Sequence, residues 1–217
     1  MREQSIEPKK HLIAWLTLSR LPFHTVGVLP FILGMVISWR QGYPFNWGVG
    51  ILSTLAVILI MLTTYYAGEY YDYETDSLNR EYNKFSGGTR VLQAGLIPRQ
   101  HVFPAALLAL LAAGVIGLVL QFYFKTGPFT IPLGIFGMLC GYFYTSKPIR
   151  WAYRGVGEIL IGICYGWLTV NTAYYLQTGS FGLIPTLVSI PIGISIFLVI
   201  LINEFPDYTS DRASGKN

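Results

Sequence analysis

Six long apolar runs dominate this chain, and they restrict it to a bundle of membrane-crossing helices. They cover roughly residues 12–39, 47–71, 102–124, 129–145, 155–176 and 181–203. A helix needs about 20 mainly apolar residues to cross the ~30 Å hydrocarbon layer, and most of these runs are long enough. Only 12% of residues are charged and mean hydropathy is +0.48. Soluble domains carry about 25% charged residues, so composition excludes an ordinary soluble fold. The polar start, Met1 to Lys10, lacks the short apolar core and small-residue cleavage site of a signal peptide. The expected fold class is therefore all-α, a polytopic transmembrane helix bundle forming one domain over 1–217.

The connections sort by charge. The 1–2, 3–4 and 5–6 connections together hold two basic residues, Arg40 and Lys125. The other side holds Arg2, Lys9, Lys10, Arg80, Lys84, Arg90, Arg99, Lys147, Arg150, Arg154, Arg212 and Lys216. Arg20 falls inside the first run and is left out of the comparison. Basic residues collect on the cytoplasmic side of membrane proteins. The N-terminus is thus expected in the cytoplasm, with the protein in a cell inner or plasma membrane. None of the 11 Asp and Glu residues lies in a connection on the outer side. The modest net charge of +4 gives no reason to expect a nucleic-acid partner.

Two of the acidic segments match. Glu69-Tyr-Tyr-Asp72-Tyr-Glu-Thr-Asp76 and Glu204-Phe-Pro-Asp207-Tyr-Thr-Ser-Asp211 both read E-x-x-D-Y-x-x-D, after runs two and six. Charged groups are costly at a bilayer and mark functional sites by default. On a helix the i, i+3, i+7 spacing puts the three acids of each motif on one face. Such carboxylates repel one another unless a cation lies between them. Clustered oxygens suit Mg²⁺, which bridges a few carboxylates to substrate phosphates. Glu69, Asp72, Asp76, Glu204, Asp207 and Asp211 are therefore the candidate metal ligands, and Asn203 adjoins the second set. Pro206 is expected to bend or end run six at that motif.

Cations accompany the acids. Between the first motif and run three lies Lys84-Phe-Ser-Gly87-Gly88-Thr-Arg90, in which the glycines permit a turn around an anion. Lys84 offers a point charge to a phosphate and Arg90 a bidentate fork. This segment lacks the Walker A spacing. The 4–5 connection adds Tyr144, Lys147, Arg150 and Arg154, with Glu158 four residues after Arg154 and expected to pair with it. Cys140 and Cys164 lie inside apolar runs without CxxC spacing, and His11, His24 and His101 have no metal-ligand spacing, so buried thiols and unliganded histidines are expected. A cation transporter would carry acids near mid-span, whereas these sit at span ends; a non-catalytic membrane fragment is the other alternative.

The two acidic motifs, Gly87-Gly-Thr-Arg-Val-Leu-Gln-Ala-Gly95 and Tyr153-Arg-Gly-Val-Gly-Glu158 resemble the UbiA superfamily of intramembrane prenyltransferases. The segment Asn203 to Lys216 is similar to the N-x-x-x-D-x-x-x-D-x-x-x-G-K form of the menaquinone-pathway branch. Glu69 stands where that family commonly has the first Asp of its first motif, and Gly68 where it has Asn. The resemblance implies a nine-helix fold, of which about six spans are expected here, the chain being C-terminally incomplete. It implies Mg²⁺-dependent transfer of a polyprenyl group from polyprenyl diphosphate to an aromatic acceptor, with the tail in the lipid bilayer. For this branch the acceptor would be 1,4-dihydroxy-2-naphthoate; 4-hydroxybenzoate and a glyceryl phosphate lipid are the alternatives. Asp72, Asp76, Asp207 and Asp211 would be catalytic. Lys84, Arg90, Asn203, Arg154, Tyr144 and Lys147 would bind substrate.

Overall fold

A computed structural model of the protein describes residues 8–79 and 88–205. Among the described residues nine α-helices form and no strand occurs. They are α1 (Pro8–Leu18), α2 (Thr25–Arg40), α3 (Trp47–Tyr71), α4 (Tyr73–Leu78), α5 (Arg99–Leu118), α6 (Thr130–Tyr142), α7 (Gly157–Ile163), α8 (Thr169–Thr178) and α9 (Leu183–Glu204). Among the described residues five stretches are long and apolar enough to cross a membrane: Pro8–Arg40, Trp47–Tyr71, Arg99–Tyr123, Gly157–Thr178 and Leu183–Asn203. The chain is a polytopic helical bundle.

Two runs depart from expectation. The first is broken between α1 and α2, because Arg20 adopts a left-handed conformation with φ 48° and a 3₁₀ turn, Leu21–His24, follows with Pro22 in it. A residue other than glycine rarely adopts that conformation, and here it directs the arginine side chain into the bundle. The fourth run yields only the 13 residues of α6. At 1.5 Å per residue that is about 20 Å, short of the hydrocarbon thickness. Tyr144 and Thr145, expected in that span, belong instead to the turn after it.

Local chemistry sets several helix ends. The Asn46 side chain accepts a hydrogen bond from Val49 N at 3.1 Å and caps α3. Short π-helical segments, Val119–Tyr123 and Cys164–Leu168, extend α5 and join α7 to α8. Small residues permit close crossings, as expected where lipid supplies no hydrophobic drive between helices. A Cβ at Gly34 of α2 would lie 2.2 Å from the Val170 carbonyl oxygen of α8.

The packed interior has two centres. One, toward the Phe45 end, joins Phe31, Met35, Val49, Leu120, Ala173 and Tyr175. The other joins Leu18 of α1, Tyr66 and Ala67 of α3, Val102 and Ala106 of α5, and Val91, Leu92 and Ile97 of the 88–98 connection. These three loop residues anchor the connection against the bundle, directly above the end of α3. Apolar side chains such as Leu108, Leu111, Leu187 and Ile194 face outward, as lipid-facing positions do.

Candidate active site

The last turn of α3 carries Glu69 into the bundle. Its side chain is 2% exposed, and its Oε1 lies 3.1 Å from Arg20 Nη2. The backbone N–H of Thr89 donates to the same oxygen at 2.8 Å. Oε2 is buried with no hydrogen-bond partner. An ion pair out of water needs good geometry and filled hydrogen-bonding positions, and this one leaves an acceptor open.

Asp72 is the junction between α3 and α4, with φ −92° and ψ 5°. The three acids therefore do not lie on one uninterrupted helix, contrary to expectation. The hydrogen-bond ladder nevertheless continues, since Asp72 N donates to Gly68 O and Asp76 N donates to Asp72 O, each at 2.8 Å. The change of direction at Asp72 is small enough to keep the carboxylates electrostatic neighbours. Asp72 Oδ1 accepts a hydrogen bond from Tyr153 Oη at 2.7 Å. Burial and the adjoining Asp72 and Glu69 charges push the Asp76 carboxyl up to about 7, against partial relief from Arg20 and Arg90. Burial and the Asp72 carboxylate likewise raise the Tyr153 hydroxyl above its usual range, so it remains a donor.

The 88–90 segment closes over this cluster. Gly88 has φ +75°, and a Cβ there would fall 2.3 Å from Asp76 Oδ2. Only glycine allows the backbone so near that carboxylate. Arg90 donates through Nη1 to the Asp76 carbonyl and through Nη2 to the Asn79 carbonyl at 2.7 Å. It thus ties down the end of α4, a use that a phosphate-binding role did not anticipate.

Among the described residues no three His, Cys, Asp or Glu side chains converge tightly enough to share one metal ion. The reason is visible in the partners: Glu69 is drawn toward Arg20 and Thr89, and Asp72 toward Tyr153. Two of the six expected ligands, Asp207 and Asp211, lie outside the described residues, as does Lys84. Asn203 is half-buried in the last turn of α9, and Glu204 ends that helix.

The 4–5 connection divides its expected site residues. Tyr144 lines a large apolar cavity, whereas Lys147 lines a separate polar one. Arg154 is exposed and donates from Nε to the Ile149 carbonyl at 2.6 Å. It forms no ion pair with Glu158, because the turn through Gly155 at φ +65° separates it from α7, which begins at Gly157. The two residues do not share a helix, and i, i+4 spacing has no force there.

The apolar cavity has a volume of about 480 Å³ and opens between the helices toward the lipid-facing surface. Ser53, Val57, Ile60 and Thr64 of α3 form one wall, with Leu111 and Gly114 of α5, Gly137 of α6 and Tyr165 of the α7–α8 span around it. Thr64 precedes Glu69 by five residues, about 7.5 Å along the helix. An acidic, cation-flanked head therefore tops an apolar chamber, an arrangement suited to an amphiphile with an anionic end.

Arg20, Thr89, Gly88 and Tyr153 complete this head; sequence reasoning gave Gly88 a turn around an anion and the other three no role. Arg20 did leave a signal, a lone charge inside an apolar run. A model of the UbiA prenyltransferase family matches residues 27–217. This chain belongs to that family. The UbiA-family chain is 30% identical over 199 residues to a 1,4-dihydroxy-2-naphthoate octaprenyltransferase of Bacillus subtilis, covering 88% of this chain and 60% of the relative. It is 27% identical over 202 residues to a 2-carboxy-1,4-naphthoquinone phytyltransferase of Synechocystis, covering 93% and 63%. A 1,4-dihydroxy-2-naphthoate octaprenyltransferase of Escherichia coli is 28% identical over 223 residues, covering 100% and 70%. The chain thus spans under two thirds of the first two relatives' length. No solved structure matches it.

Proposed function

We propose that the protein transfers a polyprenyl group from a polyprenyl diphosphate to an aromatic acceptor, 1,4-dihydroxy-2-naphthoate, on the route to a menaquinone-type quinone. The observation that carries this reading is the partly buried acidic head, Glu69, Asp72 and Asp76, which begins one to two helical turns above the 480 Å³ apolar cavity. The names of the relatives support the naphthoate acceptor.

The donor chemistry of these acids suits a divalent cation, which would have to draw together side chains that do not converge on one ion in this arrangement. Glu69 Oε2 is a buried acceptor without a hydrogen-bond partner, and burial together with the Asp72 and Glu69 charges makes Asp76 hold a proton to about neutral pH. Glu69, Asp72 and Asp76 would hold Mg²⁺, joined by Glu204, Asp207 and Asp211 of the second motif. When bound, Mg²⁺ supplies positive charge to the leaving diphosphate. Arg20 fixes Glu69, Tyr153 fixes Asp72, and Gly88 brings the 88–90 backbone against Asp76. The apolar cavity excludes water from the allylic carbon while the C–O bond breaks, and the electron-rich ring then attacks that carbon. Loss of carbon dioxide from the prenylated ring restores aromaticity. Burial of the tail contributes about 0.8 kcal/mol per CH₂.

Lys84, Asn203, Arg154, Tyr144 and Lys147 remain proposed substrate contacts, Tyr144 through the tail cavity. The charge asymmetry of the connections supports placing the acidic head on the cytoplasmic side of the cell membrane. The test supplies purified protein in lipid nanodiscs with Mg²⁺, a polyprenyl diphosphate and each of the three acceptors. Prenylated naphthol product supports the reading; product from 4-hydroxybenzoate or glyceryl phosphate alone replaces the acceptor, and no transfer by any acceptor rejects it.

A further inference from the structure

A second cavity, of about 500 Å³, has Tyr153, the hydrogen-bond partner of Asp72, in its wall. Tyr71, Glu74, Arg99, Lys147, Arg150 and Tyr153 line it. Unlike the tail chamber it is polar, cationic and aromatic. Arg99 is committed: it pairs with Glu74 at 2.7 Å, donates to the Tyr70 carbonyl at 3.1 Å and covers the Tyr70 and Tyr73 rings at 4.7 and 4.9 Å. Arg150 lies 3.5 Å above the Tyr153 ring and uses Nε on the Thr145 carbonyl at 3.3 Å. Among the described residues neither Lys147 nor Arg150 is paired with a carboxylate.

The charge sum in this cavity is positive, three cations against Glu74, while the neighbouring head is strongly negative. An aromatic acid approaching Glu69, Asp72 and Asp76 directly would meet like charge. The cavity removes that difficulty, since its cations face a carboxylate and its tyrosines face a ring. Tyr153 is the shared wall. Its hydroxyl holds Asp72 of the acidic head at 2.7 Å, and its ring lines the cationic cavity.

We propose that this cavity is the docking site for the carboxylate of the aromatic acceptor, with Lys147 and Arg150 as its charge partners and Tyr71 and Tyr153 as its ring contacts. The inference rests on the reading of the acceptor as an aromatic acid. Docking here would present the acceptor beside Asp72 without crossing the acidic head, and would select acids over neutral phenols.

Binding is tested by equilibrium dialysis of 1-hydroxy-2-naphthoate against the intact protein in phosphatidylcholine nanodiscs, with 1-naphthol and pyrophosphate as comparison ligands. Lys147→Gln and Arg150→Gln should each weaken naphthoate binding by about tenfold, with 1-naphthol and pyrophosphate within twofold of the unsubstituted protein. Arg150→Lys should recover most of the loss. Lys147 is exposed, so its replacement keeps the assay interpretable if an Arg150 variant fails to fold. Unchanged naphthoate affinity, an equal loss for 1-naphthol, or a parallel loss for pyrophosphate would each overturn the site. Transfer to naphthoate with unchanged KM in both variants would reject the cavity and keep the proposed activity. Charge-dependent naphthoate binding without transfer would keep the cavity and reject the activity.

Discussion

Arg20 and the buried Glu69 form a partly buried ion pair at 3.1 Å across 49 residues, joining the left-handed break after α1 to the last turn of α3. The pair explains two oddities of the chain, a charge inside its first apolar run and a non-glycine residue at φ 48°. Breaking it from one side leaves a desolvated charge, which costs more than the pair itself contributes. Arg20→Gln should destabilise the protein by on the order of 3 kcal/mol, whereas Arg20→Gln with Glu69→Gln should recover part of that. Thermal unfolding in detergent checks this; equal melting temperatures for single and double variants would remove the pair from the account.

Gly88 predicts a steric effect at the acidic head. A Cβ there would meet Asp76 Oδ2 at 2.3 Å, and φ +75° penalises any side chain. Gly88→Ala should cost about 1–2 kcal/mol from backbone conformation alone and displace Asp76. Titration with Mg²⁺ should then show weakened binding, while the neighbouring Gly95→Ala, where a Cβ meets nothing, should leave Mg²⁺ binding unchanged.

Much of this head was legible in the sequence, but only in part. The spacing of Glu69, Asp72 and Asp76 placed three acids together at one span end, because helical periodicity is local. Their partners were not legible. Tyr153 reaches Asp72 across 81 residues and Arg20 reaches Glu69 across 49. A linear pattern reports neither contact. Arg90 shows a different loss of information: its basic side chain suits a phosphate and a pair of carbonyls equally, and the fold selects the carbonyls of Asp76 and Asn79. The fourth span shortened because Tyr142, Phe143 and Tyr144 are apolar enough for a span yet equally suited to a turn at a membrane surface.

The Asp76 carboxyl predicts a pH dependence. Its folded value of about 7 lies above the ordinary 3.8, so the folded protein holds this proton more tightly than the unfolded chain. The resulting stability is fully present below pH ~4 and is lost as pH rises through ~7. A divalent cation must displace the same proton, so its affinity should rise with pH up to about 7 and then level off. Melting temperatures with and without Mg²⁺ should coincide near pH 5 and diverge near pH 8. A Mg²⁺ shift independent of pH would contradict the raised carboxyl.

The apolar cavity predicts control of tail length. Gly134 lines it, and a Cβ there meets no atom within 4 Å. Gly134→Phe would project a ring into the space proposed for the prenyl tail. Affinity for long polyprenyl diphosphates should fall by about tenfold or more, with geranyl diphosphate much less affected. Competition binding across a series of chain lengths reads this directly, and a uniform loss at every length would place the tail elsewhere.

The central claim is that the Glu69, Asp72 and Asp76 head binds a diphosphate through Mg²⁺. Its most direct measurement is binding of a labelled polyprenyl diphosphate to Asp72→Asn and Asp76→Asn proteins, with and without Mg²⁺. The unsubstituted protein should bind far more tightly with Mg²⁺. Each variant should lose that Mg²⁺-dependent gain, by about a hundredfold, while keeping the weak metal-independent binding of the tail. Mg²⁺-dependent binding of undiminished affinity in both variants would contradict the account.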